Sequence, residues 1–200
     1  MIRLSNFHRI DTCNMVNGTG CRVVIWLSGC PHHCHGCFSP QTWHPNSGKE
    51  FTEDDFNTVF NALQETYCSG ITLLGGDPLA PYNLDISVLL AKCAKDLGKN
   101  VWCYTGYVFE HVKDLEVMKY IDVLVDGHFD IHKFNSKLKW RGSANQRIIL
   151  VQESLQQDKI VLHKDNNTVN EYFPEQAEDP CKGMTREEIK EKYIDNVAEE

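Results

Sequence analysis

Hydrophobic residues along the chain fall alternately into short continuous blocks and into stretches with helical spacing. The first clear block, Cys21–Leu27, is apolar and rich in β-branched residues, which is typical of a buried strand. Thr52, with Asp55 three residues later, predicts the N-cap of the helix that follows, and Gly98 predicts the end of a second helix. Further strands are predicted at 71–74, 101–105 and 121–125, and helices at about 52–67, 83–97 and 108–118.

The alternation of strands and helices predicts how the strands pair. Helices of this length between strands indicate βαβ units and a parallel sheet, so the predicted fold class is α/β. Ligands of such sheets bind beyond the carboxyl ends of the strands. The predicted strand ends lie at 75–78, 105–107 and 126–128, and the long loop after the first strand, 28–48, belongs to the same face.

The pattern changes after Arg141. Residues 147–152 and 159–164 have the composition of two strands around a polar turn, which predicts a hairpin. From about Asp165 the chain is polar and contains prolines, and 185–197 predicts a short charged helix. We therefore predict one domain over residues 1–164 and an appended polar tail over residues 165–200.

Composition sets limits on the class of protein. The 200 residues are 42% hydrophobic and 24% charged, which suits one domain with a sizeable core. Twenty basic and 28 acidic side chains give a net charge of −8, which argues against a protein held on nucleic acid phosphates. The start of the chain has no apolar signal core, and its longest apolar run, 23–27, is too short to cross a membrane. These features predict a soluble, cytoplasmic protein that binds neither nucleic acid nor membrane.

Cysteine spacing is the most specific feature of the chain. Cys30, Cys34 and Cys37 form a Cys-x3-Cys-x2-Cys cluster on the long loop. Three thiolates at this spacing can hold three corners of an iron–sulfur cluster and leave one iron open to a substrate, whereas electron-transfer clusters use four cysteines. The alternative is a structural zinc ion completed by one of the histidines between them. The other six cysteines are interpreted as ordinary core or surface thiols: Cys13, Cys21, Cys68, Cys93, Cys103 and Cys181.

Other stretches of sequence accompany the cysteine loop and its Thr42-Trp43. They are Val-Asn-Gly-Thr-Gly-Cys-Arg at 16–22, Gly-Gly-Asp-Pro-Leu at 75–79, Val-Trp-Cys-Tyr-Thr-Gly-Tyr at 101–107, Val-Leu-Val-Asp-Gly at 123–127 and Trp-Arg-Gly-Ser-Ala-Asn-Gln at 140–146. With them, the chain resembles the radical S-adenosylmethionine enzymes, and among these the family that activates anaerobic ribonucleoside-triphosphate reductase. The likeness covers about residues 8–163. The chain departs from the family at His128, where a lysine is usual, and at Thr19, where a proline is usual.

The resemblance implies a fold, two cofactors and a partner. The implied fold is a partial, incomplete parallel β/α barrel with the cluster at the carboxyl end of its strands. The implied cofactors are a 4Fe-4S cluster on Cys30, Cys34 and Cys37, with one open iron, and S-adenosyl-L-methionine, which chelates that iron. The reduced cluster cleaves S-adenosylmethionine, and the adenosyl radical takes a hydrogen from a glycine in the large subunit of the reductase. A low-potential electron donor such as flavodoxin is also implied.

Residues at the strand ends form the predicted cofactor pocket. Gly75 and Gly76 let the backbone approach a ligand, and Asp77 holds either the turn or the methionine amine, with a plain turn as the alternative. Thr105 is expected to line the adenosyl pocket or to form an ordinary turn. Asp126 is expected to bind a ribose hydroxyl or a cation, with helix capping as its alternative. No side chain is assigned a catalytic role beyond the cluster and cofactor.

Other functions stay open at this point. One is activation of a different glycyl-radical enzyme, such as a formate-lyase, although the stretch at 140–146 favours the reductase. The other is a zinc- or cluster-bearing binding module without turnover, which would not need the glycine turn at a strand end. Arg141 is interpreted as a contact to the cofactor carboxylate or to the partner, or as part of a solvated loop.

Overall fold

The computed structural model describes residues 5–168 and the isolated positions 185, 187, 188 and 191. Cys181 and most of the predicted helix at 185–197 therefore lie outside the described residues. The strands are β1 (Asn6–Asn14), β2 (Cys21–Leu27), β3 (Lys49–Glu50), β4 (Cys68–Gly75), β5 (Asn100–Tyr104), β6 (Val123–Asp126) and β7 (Arg147–Leu150). The helices are α1 (Glu53–Gln64), α2 (Leu84–Asp96), α3 (Phe109–Val112) and α4 (Val151–Gln157). Short 3-10 helices cover Pro40–Thr42, Pro81–Asn83, Glu116–Lys119, Ile131–Lys133 and Lys164–Asn167.

All seven strands belong to one mixed sheet with the order β3-β1-β2-β4-β5-β6-β7. The inner strands β2, β4, β5 and β6 run parallel, as predicted. The outer strands β1, β3 and β7 pair antiparallel with their neighbours. Over the described residues the sheet is not closed, because β3 and β7 form its two edges. The α/β class is confirmed, but this sheet does not by itself make a barrel.

Local signals explain where the crossover helices begin and end. The Thr52 hydroxyl accepts a hydrogen bond from the Asp55 N–H, and the Asp55 carboxylate accepts one from the Thr52 N–H, which is the predicted capping box of α1. Gly98 follows α2 with a φ of +69°, as predicted for a helix end. The buried faces are Val59, Ala62 and Leu63 in α1 and Ile86, Leu90, Ala91 and Ala94 in α2.

The core lies on both faces of the sheet because side chains alternate along each strand. In β5, Val101 and Cys103 join the large cluster under the helices. Trp102, between them, joins a smaller cluster with Val123, Val125 and Ile148. Trp140 packs against that cluster, with its ring centroid 4.8 Å from that of Trp102. This contact places Trp140 on the face of the sheet opposite the large cluster.

Three predictions about secondary structure are wrong in part. The strands β1 and β3 were not expected, because β1 mixes charged with apolar residues and has no continuous apolar block. The predicted third helix is two short pieces, since the backbone at Leu115 is extended. The predicted hairpin is instead β7 followed by α4, with one bridge from Ile149 to Leu162.

Cys13 and Cys21 were expected to be ordinary thiols but form a disulfide between β1 and β2. Cys68 is buried at the start of β4, while Cys93 lies on α2.

The chain just beyond Lys164 packs onto the domain. Asp165 and Asn166 are buried, and the Asn166 side-chain carbonyl accepts a hydrogen bond from the Ile148 N–H at 2.8 Å. The folded unit therefore includes some residues that the sequence places in the tail. Within the described part of the chain, no helix has the length and apolar character needed to span a membrane.

Candidate functional site

A cavity of about 610 Å³ lies where the inner strands end. Its size suits a small-molecule ligand, since such pockets usually measure roughly 300–1,000 Å³. Apolar residues from the loop before β2 and from the segment at 129–142 complete its wall. Among the predicted site residues, Cys30, Cys34, Cys37, Gly75, Gly76, Asp77 and Thr105 line the cavity, and Asp126 does not.

Backbone hydrogen bonds hold the cysteine loop in a compact form. The N–H groups of Gly29 and Cys30 donate to the carbonyls of Thr42 and Trp43 at 2.7 and 2.9 Å. The Cys37 N–H donates to the Cys34 carbonyl at 3.1 Å, which closes a tight turn between two of the thiols. The three cysteines therefore line one cavity on a loop that the backbone supports, and their role as cluster ligands stays a prediction.

The arrangement of the three thiols is compatible with an iron–sulfur cluster. Within the described residues, no three His, Cys, Asp or Glu side chains are grouped closely enough to hold one metal ion. The ligands of a four-iron cluster lie farther apart than those of one ion, so the spacing of the thiols does not count against a cluster. Burial raises the pKa of the Cys30 thiol, and the Asp77 carboxylate adds to the rise. A bound iron would supply the positive charge that keeps this sulfur a thiolate.

The histidines of the loop make other contacts. The His32 ring nitrogen Nε2 lies 2.6 Å from Asp77 Oδ2. The His33 ring packs at 4.8 Å from the Trp43 ring. The contact with Asp77 engages one ring nitrogen of a side chain that the zinc alternative would use as a ligand.

Gly75 and Gly76 are required by the protein backbone itself. A Cβ on Gly75, whose φ is +105°, would lie 2.6 Å from the Trp26 Cα. A Cβ on Gly76 would lie 2.3 Å from the Gly29 carbonyl oxygen. The glycines thus allow the turn after β4 to pack directly on β2 and on the start of the cysteine loop. Both also line the cavity, but the space beside each Cα is taken by protein rather than left for a ligand.

Asp77 contacts several segments of the chain at this end of the sheet. Its buried carboxylate accepts hydrogen bonds from the Leu79 N–H at 2.8 Å, the Gly106 N–H at 2.9 Å and the Thr105 hydroxyl at 2.9 Å. The bond to His32 adds a contact from the cysteine loop. Of its predicted roles, holding the turn is the one seen in these contacts. The Thr105 hydroxyl is committed to the same network.

Asp126 faces a different set of partners. Its carboxylate accepts a hydrogen bond from the Phe109 N–H at 2.8 Å and one from Arg147 Nε at 3.0 Å. Arg147 also pairs with Glu110 and lowers the pKa of that carboxyl to about 2. The capping alternative therefore describes the observed contacts of Asp126. A contact between Asp126 and a cofactor stays a prediction, and the hydrogen bonds that Asp126 already accepts disfavour it.

Sequence reasoning missed two residues that organise the site. For His32 the sequence suggests only an ordinary loop residue or a zinc ligand, although its position between two cysteines is a signal. Asn83 was treated as a helix start, yet its buried side-chain N–H2 donates to the carbonyls of Ser28 and Asp77, both at 2.9 Å. Nothing in the local sequence marks that bridge, because Ser28 lies 55 residues away along the chain.

Two residues of the cavity wall carry polar atoms that suit an anionic ligand. The Arg141 Nε and the Tyr104 hydroxyl are buried and have no hydrogen-bond partner among the described residues. Arg141 otherwise donates only to the backbone carbonyls of Ala144 and Gln146. The amino-acid end of S-adenosylmethionine carries a carboxylate, and a guanidinium binds carboxylates well. The residues present therefore fit both a cluster and this cofactor.

The sequence of this chain is similar to those of known proteins. The sequence model of a family described as a 4Fe-4S single cluster domain matches residues 16–149. The chain is 44% identical over 145 residues to a protein of Enterobacteria phage T4, covering 72% of this chain and 92% of that protein. It is 40% identical over 147 residues to one from Escherichia coli K12 (70% and 96% covered) and 38% identical over 149 residues to one from Vibrio cholerae (72% and 96%). Each of these is named anaerobic ribonucleoside-triphosphate reductase-activating protein, and the present chain belongs to that family.

Proposed function

We propose that this protein cleaves S-adenosylmethionine reductively at a three-cysteine 4Fe-4S cluster and so generates a glycyl radical on anaerobic ribonucleoside-triphosphate reductase. The observation that carries the proposal is the meeting of Cys30, Cys34 and Cys37 with the Gly75-Gly76-Asp77 turn in one cavity. The relatives in phage T4 and Escherichia coli are named for activating that reductase, which favours it over another glycyl-radical enzyme as the partner.

The residues of the chain hold and shield the reacting groups. The thiolates of Cys30, Cys34 and Cys37 bind three irons of the cluster and leave the fourth open. When bound, the cluster supplies the electron that cleaves S-adenosylmethionine, whose adenosyl fragment then accepts a hydrogen atom from a glycine Cα of the reductase. Arg141 pairs with the cofactor carboxylate, because it is the cavity-lining guanidinium whose Nε lacks a partner among the described residues.

An apolar mouth gives the partner access to the cavity. Met15, Val16 and Phe38 line the cavity and are also exposed to solvent, so they lie at its opening. A glycine-bearing loop of the reductase is small enough to enter there, and its insertion would exclude water as a closing lid does. The partner is therefore a protein rather than a small molecule.

The proposal also covers the form of the sheet, the electron donor, the location in the cell and the extent of the cofactor-binding domain. The open sheet, with its strand ends around the cavity, acts as a partial barrel. The electron comes from a low-potential donor such as flavodoxin, and the protein works in the cytoplasm without nucleic acid. The cofactor-binding domain extends just past the predicted boundary at Lys164, because Asn166 bonds to β7, and the remaining tail takes no part in cofactor cleavage.

The test is anaerobic reconstitution with iron and sulfide, followed by reduction in the presence of S-adenosylmethionine. The expected result is a brown protein that releases methionine and 5′-deoxyadenosine. Mixing it with the reductase should then produce a glycine-type doublet in the electron paramagnetic resonance spectrum. The doublet should be absent when the radical-site glycine of the reductase is changed to alanine.

Two other outcomes would contradict the proposal. A colourless protein with one tightly bound zinc ion would favour the structural metal site. Efficient radical modification of a free small molecule, with no radical on the reductase, would leave radical chemistry but reject the activating role.

A further inference from the structure

One buried side-chain contact joins the cysteine loop to the turn after β4, although the two are 45 residues apart. His32 Nε2 lies 2.6 Å from Asp77 Oδ2, and the two side chains are only 7% and 1% exposed. Among the described residues, the other hydrogen bonds between these regions use backbone groups or the Asn83 side chain, so His32 provides the side-chain bond from within the cysteine cluster itself. A contact of this kind controls the relative position of the two regions that the proposed function brings together.

The carboxylate is the fixed partner of the pair. Besides the contact with His32, Asp77 accepts hydrogen bonds from the Leu79 N–H, the Gly106 N–H and the Thr105 hydroxyl. These three donors come from the ends of two neighbouring strands and anchor the carboxylate to the sheet. The bond to His32 therefore fixes the cysteine loop relative to this anchored carboxylate. The loop has no strand or helix of its own between Cys30 and Cys37.

The ring of His32 is also held by its neighbours. It packs edge-to-face on Tyr107 and His128, with ring centroids 4.5 and 4.4 Å away. A Cβ on Gly106 would lie 2.4 Å from His32 Cδ2, so only glycine permits the ring at this place. Immediately after the ring, His33 adopts a φ of +45°, a region that non-glycine residues rarely occupy. The loop thus takes an unfavourable backbone conformation next to the residue that anchors it.

We propose that His32 is a positioning residue, which keeps the three cysteines at one fixed distance from the Gly75-Gly76-Asp77 turn. This inference rests on the proposed function, since it concerns how S-adenosylmethionine is presented to the open iron. The bond needs only an N–H at Nε2 and an acceptor at Asp77, so it forms with a neutral or a charged ring. Without it, the cysteine loop still binds a cluster through its thiolates, but the cluster takes up several positions relative to the turn.

The test compares the variants His32→Ala and His32→Gln with the wild type after anaerobic reconstitution. Glutamine places an amide N–H2 at about the distance of Nε2 and can still donate to Asp77. For His32→Ala we expect a near-normal iron content, about tenfold weaker binding of S-adenosylmethionine, and a broadened change in the spectrum of the reduced cluster when the cofactor is added. His32→Gln should restore a single spectral form and most of the affinity.

His33→Asn is the matched control, because it removes a neighbouring ring that packs on Trp43 instead of Asp77, and asparagine tolerates a positive φ. It should bind S-adenosylmethionine like the wild type. If His33→Asn and His32→Ala weaken binding equally, the effect belongs to the loop in general and the inference is wrong.

The remaining outcomes are also decisive. Wild-type affinity and spectrum in His32→Ala would overturn the inference while leaving the proposed function intact. If His32→Ala loses the cluster, His32→Gln decides: recovery of cluster and cofactor response supports the inference, and failure contradicts it. A wild-type protein that binds no S-adenosylmethionine would instead reject the proposed function.

Discussion

Two buried charged side chains lie at opposite ends of the same parallel strands. At the amino end, Arg22 donates to the Thr72 hydroxyl at 2.8 Å and to the carbonyls of Ile71 and Asn100 at 2.6 and 3.0 Å. At the carboxyl end, Asp77 accepts from backbone N–H groups, from a hydroxyl and from His32. Each charged side chain thus links neighbouring strands: the guanidinium donates hydrogen bonds, and the carboxylate accepts them.

The surroundings of the two charges differ. Arg22 donates mainly to backbone carbonyls of the strands, and its Cζ lies 5.7 Å from the centre of the Trp102 ring. The guanidinium is therefore surrounded by residues of the sheet. Burial lowers the pKa of Arg22 to about 10, which still leaves it charged at neutral pH. The partners of Asp77 come from loops that diverge from the strands, and the cavity of about 610 Å³ opens beside them. The buried arginine at the amino end thus stabilises the fold alone, whereas the buried aspartate at the carboxyl end stabilises the fold and also borders the candidate site.

The largest expected effect is the loss of the cluster in Cys34→Ser. A hydroxyl replaces a soft thiolate poorly as an iron ligand, so reconstituted iron and cofactor cleavage should both fall to background. Cys93→Ser is the matched control, because Cys93 is a half-buried free thiol on α2, away from the cavity. Iron content and released 5′-deoxyadenosine measure both variants. Equal loss in Cys93→Ser, with a stable fold, would mean that the ligands are assigned wrongly.

Arg22→Met should cause the largest loss of stability. Methionine fills part of the space but leaves the carbonyls of Ile71 and Asn100 buried without their donor, and each such group costs about 1–3 kcal/mol. We expect the free energy of unfolding of the cluster-free protein in urea to fall by more than about 3 kcal/mol. Arg9→Met, at an exposed arginine paired with Asp11, should cost less than about 1 kcal/mol. Similar losses in the two variants would show that Arg22 is no structural anchor.

Gly106→Ala tests how tightly the carboxyl end is packed. The new methyl group would meet the His32 ring, and such overpacking costs about 1–3 kcal/mol of unfolding free energy. In a His32→Ala background the same change should cost less than half as much, because the ring is gone. Urea unfolding of the single and double variants measures this coupling. Additive losses would mean that the ring does not occupy the space beside Gly106.

Glu110→Gln should have the smallest effect and a clear dependence on pH. Arg147 lowers the pKa of Glu110 to about 2 in the folded protein, from an ordinary value near 4.5. Its stabilising contribution is therefore complete above pH about 4.5 and is lost as the pH falls towards 2. Because the side chain is half exposed, we expect a loss below about 1 kcal/mol at pH 7 that shrinks by pH 3. Thermal unfolding at both pH values measures it.

Glu116→Gln is the control for this comparison, since Glu116 is exposed and forms no ion pair within residues 5–168. It should change stability equally little at both pH values. A loss in Glu110→Gln that is as large at pH 3 as at pH 7 would show that packing, rather than the ion pair with Arg147, is responsible.

Local patterns were enough to predict most of the inner fold. The apolar blocks of β2, β4, β5 and β6 and the caps at Thr52 and Gly98 depend on neighbours within a few residues, so the sequence alone specifies them. The antiparallel strand β1 escaped prediction because its contacts lie across the sheet and its own residues are mixed in character. The predicted hairpin is reduced to a short antiparallel pairing of Ile149 with Leu162, because the chain turns into α4 after Leu150 and the Ser154 hydroxyl there accepts a hydrogen bond from the Val161 N–H.

The sequence by itself determined the family of this protein and the position of its cysteines, since the match to the 4Fe-4S single cluster domain and the three cysteines within eight residues are properties of the chain alone. Only the tertiary structure decided the roles of the polar residues around that site. His32 and Asp77 are 45 residues apart, and Asp126 and Arg147 are 21 apart, so no local pattern announces either pair. A thiolate ligand is recognised by its spacing, whereas a buried carboxylate takes its role from whichever donors the folded chain brings within hydrogen-bond distance.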